Sequence, residues 1–357
     1  MRILYLYRYL GVGGTGTQLM NRLGHLMSHG VEVHFGFLHD LGGRGVYGDY
    51  PHIHLFAGLE QTREFIEEEP FDVITVIDTP EYYSAVEAAA FPGVLIHEAH
   101  TTFESLDYIW DLRARAPMHA ILTPSEYNRN RILYEYGYEN LRPVYVAPNC
   151  LDVNLFRFTE PRRLPDHKVL IWVGRLDDFK NWRGFLALAE RISQLRGDCE
   201  FWLIGGRGSP DEVAQSMLRT AARAGLCDRL RWIQNVDYQS MPAIYSLTAA
   251  SGGCHVVTSV EESFGMTIIE AMACGCPVIA SRVGAIPELM DEAHAVGLYT
   301  LHDTEAAVSV LQRILDDRDL RRIFTAEGVA KVHKRYTPNA AGAHYLSLLD
   351  KICAAVS

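Results

Sequence analysis

The chain has 357 residues, enough for two domains of roughly 150–200 residues, each with its own core. Its 48% apolar and 22% charged residues are ordinary for a globular protein. A formal net charge of −11 argues against a nucleic-acid partner and against tight adhesion to an anionic membrane, while leaving room for a local peripheral membrane contact.

No uninterrupted apolar stretch approaches the roughly 18–20 residues of an integral span. Met1-Arg-Ile-Leu-Tyr-Leu-Tyr reads as a first strand, not as a charged leader followed by a long apolar run. Seven scattered cysteines, an odd and unpatterned set, read as reduced thiols in a cytoplasmic protein. Cys274-Gly-Cys276 matches neither a redox pair nor a zinc knuckle and reads as core filler.

Residues 2–10 read as a strand, followed by Gly11-Val-Gly-Gly-Thr-Gly16, an amphipathic helix from about Gln18 to His29, and a strand over Val31–Phe35. Gly11-x-Gly13-x-x-Gly16 fits the dinucleotide fingerprint, which makes a Rossmann dehydrogenase the tempting alternative. The ribose-binding acid would then be Glu32, which falls inside a strand and not at its carboxyl end. A nicotinamide titration separates the two readings. Residues 40–50 hold four glycines beside aromatic residues and read as a loop, either floppy or suited to a sugar acceptor.

A short helix over Gln61–Glu69 precedes a strand at Phe71–Asp78, and Thr79-Pro80 opens a helix through Ala90. Val94-Leu-Ile-His97-Glu98-Ala-His100 is a strand that delivers polar residues at its carboxyl end, where open α/β sheets bind ligands. The order is not H-E-x-x-H, and two histidines three apart on a strand end do not make a zinc site. Ser125 is placed to cap the helix that follows Ala120–Thr123; Arg129 and Arg131 read as its solvated face. Arg157–Lys168, with two prolines, reads as the linker.

The second half restarts with a buried strand, Lys168–Gly174, then Arg175-Leu-Asp-Asp-Phe-Lys180. A guanidinium fork and an ammonium five residues on suit a departing diphosphate. A surface salt bridge from Arg175 to Asp177 or Asp178 is the other reading. A strand from Cys199 leads to Gly205-Gly206-Arg207-Gly208, then a helix over Asp211–Ala224, a strand at Leu230–Ile233 and a helix over Gln239–Leu247. Helices follow over Thr304–Asp316, Asp319–Lys334 and Asn339–Ala355; Asp317-Arg-Asp319 reads as a helix cap and not as a metal motif.

The pivot is Cys254–Thr258, a buried strand, followed by a turn, a helix from about Gly265 to Ala273 capped by Ser263, and a strand resuming at Val278. Glu262 and Glu270 bracket the turn, at most roughly 12 Å apart along a helix. Between them the first-turn amides of Gly265, Met266 and Thr267 lack intrahelical partners and form an anion site. A carboxylate for sugar hydroxyls, amides for a diphosphate and a carboxylate for ribose thus follow in order. On spacing alone, an ordinary βαβ turn with two surface glutamates stands beside this reading.

Glu262-Ser-Phe-Gly-Met-Thr-Ile-Ile-Glu270-Ala-Met-Ala-Cys-Gly-Cys-Pro-Val-Ile-Ala280 resembles the E-x7-E signature of the retaining glycosyltransferases of family 4, and Ser281–Glu288 resembles that family's next turn, with Ala285 in place of a usual glycine. Three other departures are Cys150, where the family's Asn-Gly-x-Asp has glycine, Asn181 after Lys180, where Lys-Gly is usual, and a first half that resembles the family only loosely.

The resemblance implies the GT-B fold: two Rossmann-like, doubly wound parallel-sheet domains facing a central cleft. These are residues 1–157, an acceptor domain to which a C-terminal helix at 337–357 crosses back, and residues 168–336, a nucleotide-sugar donor domain. It implies a metal-independent hexosyltransferase with no cofactor, using a nucleotide-diphosphate sugar, uridine-linked by preference, and a hydroxyl acceptor on a glycan, glycolipid or small natural product. Catalysis would rest on His100, Glu262, Arg175 and Lys180. The donor would lie against Gly13, Gly14, Gly174, Arg175, Lys180, Gly206, Arg207, Val236, Glu262, Ser263, Phe264, Gly265, Met266, Thr267 and Glu270, and the acceptor against Gly14, Thr15, His97 and His100. Alternatives are a sugar phosphorylase of the same fold, which would cleave a glycoside with phosphate, and a non-catalytic nucleotide-sugar-binding subunit, which would bind donor without turnover.

Overall fold

A computed structural model describes residues 1–11, 13–101, 107–113 and 118–356. It divides into two compact units, one of Met1–Cys150 with Tyr336–Ser357 and one of Leu151–Arg335. The proline-containing stretch after residue 157 packs with the second unit.

The first unit holds seven strands: β1 (Arg2–Leu10), β2 (Glu32–Asp40), β3 (Ile53–Leu55), β4 (Val73–Ile77), β5 (Val94–Glu98), β6 (Ala120–Thr123) and β7 (Val144–Val146). They pair in the order β3-β2-β1-β4-β5-β6-β7, every pair parallel. β4 and β5 are buried along their whole length, which is why they read as unbroken apolar runs and not as alternating ones. One face packs Ile3, Tyr5, Val33, Phe35 and Phe37 against the helix Gly14–Ser28 and the last helix, Pro338–Val356. The other packs Leu4, Leu6, Ile74 and Val76 with Phe56, Ile66 and Tyr82.

The second unit holds β8 (Lys168–Val173), β9 (Cys199–Ile204), β10 (Leu230–Ile233), β11 (Cys254–Val257), β12 (Val278–Ser281) and β13 (Leu298–Tyr299). Their order is β10-β9-β8-β11-β12-β13, again all parallel. In both sheets the strand order reverses beside the first strand, between β1 and β4 and between β8 and β11. Loops leaving the carboxyl ends of those neighbours diverge and leave a crevice, the usual ligand position in such sheets.

Several local expectations change. The helix after the glycine loop starts at Gly14, not Gln18, because Gly13 is already extended and the chain turns helical at once. β2 runs on to Asp40, and Glu32 is its first residue, at the amino edge. That removes the carboxyl-edge acid a dinucleotide site needs there. Residues 40–50 are not a floppy loop. Arg44–Tyr47 is a helical turn, Tyr47 is buried on Phe35 and Phe37, and a Cβ on Gly43 would lie 2.5 Å from the Gly11 nitrogen. The helix after Ser125 gives way to a π-turn at Arg131–Glu135, and the two-residue β13 carries no periodic signal of its own.

Ser125 does cap its helix, accepting from the Asn128 amide, and Asp317 accepts from the Leu320 amide as a helix cap. Arg129 and Arg131 bond Glu126 and Glu135 on the helix surface. Cys274 and Cys276 are buried, and burial pushes the Cys274 thiol up to about 12, so neither is a reactive thiolate. Among the described residues no helix is long and apolar enough to cross a membrane.

Candidate active site

The cluster in the second unit begins with the loop after β8. Asp177 accepts the Lys180 backbone amide at 2.7 Å through Oδ1 and the Arg175 guanidinium through Oδ2. One carboxylate therefore sets both cations of the loop. Arg175 is exposed and pairs with Asp177 at 2.7 Å, the surface bridge that stood as the alternative reading. The loop ends at Asn181, whose φ of 53° and ψ of 56° are left-handed. This is the position where the resembled family carries glycine. Asparagine tolerates that region and adds what glycine lacks: its Oδ1 caps the helix Trp182–Leu195 through the Gly184 amide, and its Nδ2 donates to the Thr258 carbonyl at 3.0 Å.

That second bond joins the cation loop to the loop after β11. Thr258 Oγ1 donates to the Asn181 carbonyl, Trp172 Nε1 donates to Thr258 Oγ1 at 3.0 Å, and the Val260 amide donates to the Phe179 carbonyl at 2.7 Å. The two loops are thus one braced unit across the point where the strand order reverses. In it the Lys180 ammonium bonds Glu262 Oε1, and Ser259 Oγ donates to the same oxygen at 2.7 Å.

The backbone at Glu262 is held as tightly as its side chain. Its carbonyl accepts the Ala285 amide at 2.9 Å, and a Cβ on Gly284 would lie 2.2 Å from that carbonyl. Gly284, at φ 52°, must be glycine for the two loops to touch. Ala285 does not need to be, since its φ is −81°. Cys150, the other departure, is buried and not left-handed, and its carbonyl accepts the Asn21 side chain at 2.9 Å.

The pivotal helix spans Met266–Ala273, one residue shorter than expected. Its N-cap is Gly265 at φ 106°, with no side-chain cap, and not Ser263. Gly265 takes the left-handed turn that brings the chain sharply into the helix. The opening amides of Met266 and Thr267 stand in the first turn, where no intrahelical carbonyl pairs with them. Phe264 is buried beneath the turn.

Glu270 lies inside this helix, buried, with Tyr245 Oη donating to Oε2 at 3.0 Å. Burial raises its pKa to about 7; the Tyr245 hydrogen bond and the charge of Lys180 oppose that rise. A carboxylate poised near neutrality beside a cation is characteristic of a site that handles polar ligands. Gly174 stands at the end of β8, and a Cβ on Gly205 would lie 2.2 Å from its carbonyl oxygen. Gly206 and exposed Arg207 form the turn after β9, and half-buried Val236 follows β10.

The first unit gathers a different set. Glu98, at the end of β5, accepts Arg22 at 3.1 Å and Tyr345 at 2.7 Å through Oε1, and bonds His100 Nε2 at 2.8 Å through Oε2. The Arg22 guanidinium lies 3.8 Å from the Tyr345 ring centroid, and Tyr5 Oη donates to Tyr345 Oη at 2.9 Å. Burial alone would raise the Glu98 pKa; Arg22 first, then His100, outweigh it and hold the group at about 2. His100 is mostly buried and fixed by this carboxylate.

His97 is fully buried, with Nδ1 against Tyr83 Oη and Nε2 against Tyr108 Oη, each at 3.1 Å. Burial pulls its pKa down to about 4. It is a neutral histidine with both nitrogens occupied by tyrosine hydroxyls. Gly13 and Gly14 are exposed at the mouth of the first helix, and Thr15 is half-buried there.

Sequence reasoning missed Ser259, Tyr245, Arg22 and Tyr345. Tyr345 meets Glu98 across 247 positions, and no spacing rule reaches that far.

Residues 167–317 match the family model described as "Glycosyl transferases group 1". The second domain of this chain belongs to that family. Among curated proteins, the O-antigen chain mannosyltransferase B of Escherichia coli is 28% identical over 219 residues, covering 59% of this chain and 55% of its own. The D-inositol 3-phosphate glycosyltransferase of Corynebacterium glutamicum is 30% identical over 230 residues, covering 61% and 53%. The chain thus spans about half the length of the curated relatives it matches.

Solved structures extend the likeness to the fold of the whole chain. Anabaena HepE, crystallised with UDP-glucose, superposes with a TM-score of 0.83 at 17% identity, covering 98% of this chain and 100% of that one. Sucrose-phosphate synthase from Thermosynechococcus elongatus gives 0.82 at 19%, covering 99% and 100%. The fold is GT-B, with two parallel-sheet domains and a C-terminal helix packed on the first helix of the N-terminal domain.

Proposed function

We propose that this protein is a retaining, metal-independent hexosyltransferase that takes a sugar from a nucleoside diphosphate, uridine-linked, and passes it to a hydroxyl. The observation that carries the reading is the meeting of Lys180 and Glu262, 82 positions apart, at the mouth of a helix that buries Glu270. The motif named the two glutamates; the braced loops that bring the cation to them are independent support.

In this reading the diphosphate lies on the amides of Met266 and Thr267, which are partial positive charges needing no reorganisation. Lys180 leaves Glu262 for the phosphate, and Arg175 leaves Asp177. Glu262, released, accepts from hydroxyls of the sugar. Glu270 accepts from the ribose hydroxyls, and Gly206, Arg207 and Val236 flank the base. The glycosidic bond breaks as the diphosphate takes the electron pair, and cationic stabilisation of that leaving group supplies most of the rate. The acceptor belongs to the N-terminal domain, near Gly14, Thr15 and His100.

The relatives' printed activities, on mannosyl and inositol phosphate substrates, support a hydroxyl acceptor without choosing one. The test is a panel of UDP-, GDP- and ADP-sugars with pooled hydroxyl acceptors in the presence of a chelator, the product anomer being read by NMR. Transfer with retained configuration supports the reading. Inverted product, phosphate-dependent glycoside cleavage, or donor binding with no turnover overturns it.

A further inference from the structure

Three histidines converge at the other end of the first sheet. His34 is the third residue of β2, and His52 and His54 flank the start of the edge strand β3. Their ligand atoms all lie within 4.8 Å of one another, and no other such group of three occurs among the described residues. His34 Nδ1 is 3.1 Å from His54 Nε2, and the His52 ring stacks on His34 at 4.3 Å. We propose that His34, His52 and His54 bind one divalent transition-metal cation, zinc or its like, which clips β3 onto β2.

Two features favour a cation over a mere cluster of rings. Glu32 Oε1 accepts from His34 Nε2 at 2.8 Å, which fixes the tautomer and turns the Nδ1 lone pair toward the other two rings. A carboxylate behind a ligating histidine is the usual support for such a ligand. The His34 and His54 rings pack against Phe65 and Phe71, which keeps them dry on one side.

The geometry needs little adjustment. Tetrahedral ligands at 2.0–2.1 Å stand roughly 3.3 Å apart, close to the His34–His54 spacing, and the half-exposed His52 ring closes the rest by side-chain rotation. Arg2, a nearby cation, bonds both Glu32 and Glu69, so two carboxylates offset it. The site sits at the amino edge of the sheet, and His100 follows the carboxyl end of β5. The cation would be structural, and independent of glycosyl transfer. Three protein ligands leave one position for water.

The experiment uses chelated, tag-free protein and zinc or cobalt(II) chloride. The expected result is one saturable equivalent per chain, a rise in melting temperature, cobalt d–d bands of a four-coordinate site, and movement of three of the 15 imidazoles in a long-range 1H–15N spectrum of the unmutated protein. His52→Asn and His54→Asn should each weaken binding at least tenfold, and Glu32→Gln by about 10–100-fold. Absence of saturable binding overturns the proposal, as does binding that survives both histidine substitutions or moves imidazoles other than these three. The spectrum of the unmutated chain decides the matter if a variant fails to fold.

Discussion

The two domains each bury a carboxylate at the end of a strand or within a helix, and they treat it in opposite ways. Glu98 is closed on all sides: a guanidinium, a tyrosine and a histidine complete its hydrogen bonds, and its pKa falls to about 2. Glu270 has one tyrosine and a pKa raised to about 7. A fully satisfied buried charge holds parts of a fold together; an under-satisfied one waits for donors that a ligand brings. On the proposed reading the difference separates a structural centre from a binding centre.

The largest effect should come from breaking the closed centre. Glu98→Ala leaves Arg22 charged and buried with nothing opposite, and should destabilise the N-terminal domain by about 3–5 kcal/mol. Chemical denaturation measures it. The linkage has a definite sign. The folded pKa of Glu98 lies below its unfolded value, so the stabilisation is complete above about pH 4.5 and is lost as pH falls toward 2. Unfolding curves between pH 6 and 3 should show this slope, and Glu98→Gln should flatten it.

Lys180→Ala should act the other way, sparing the fold and damaging the chemistry. Removing a preformed charge from a leaving diphosphate costs roughly 10²–10³ in kcat. Thermal unfolding should move little beside that loss.

Glu270 sharpens the contrast through pH. On the proposed reading its ionised form accepts from ribose, so affinity for a diphospho-sugar should fall roughly tenfold between pH 8 and pH 6. The sugar's diphosphate does not titrate in that range, so the slope belongs to the protein. Glu270→Gln should bind weakly at both pH values.

Arg175 gives the smallest expected effect. Its exposed pair with Asp177 contributes little to stability, so Arg175→Ala should leave the melting temperature within a degree or so. Loss of one charged hydrogen bond to phosphate should still weaken donor binding by about tenfold or more. Unchanged donor affinity would make Arg175 the ordinary surface bridge that the sequence also allows.

Apolar strand runs alternating with helices in both halves point to two parallel-sheet domains, and the block from Glu262 to Ala280 points to the helix mouth. Such signals are local, with strand, turn and helix adjacent in the chain. What escaped was set by distance and by backbone shape. Ser259 is three residues from Glu262 but carries no motif. Tyr245 meets Glu270 by packing between two helices. Asn181 looked like a departure until its left-handed backbone showed why asparagine serves there. His97 and His100 differ by three positions on one strand end, and only the surroundings tell which is buried between tyrosines and which leans on Glu98. Tyr47 read as a loop aromatic because nothing in the glycines around it announces a core contact.

The central claim is that a nucleoside diphosphate rests on the amides of Met266 and Thr267 and is neutralised by Lys180. Calorimetric titration of UDP, GDP, ADP and UMP into the unmutated protein and into Lys180→Ala tests it most directly. One diphosphate, UDP, should bind well, UMP should bind far more weakly for want of the second phosphate, and Lys180→Ala should remove most of that difference. Equal affinity for UMP and UDP, or a Lys180→Ala protein that still favours the diphosphate as strongly, would contradict it.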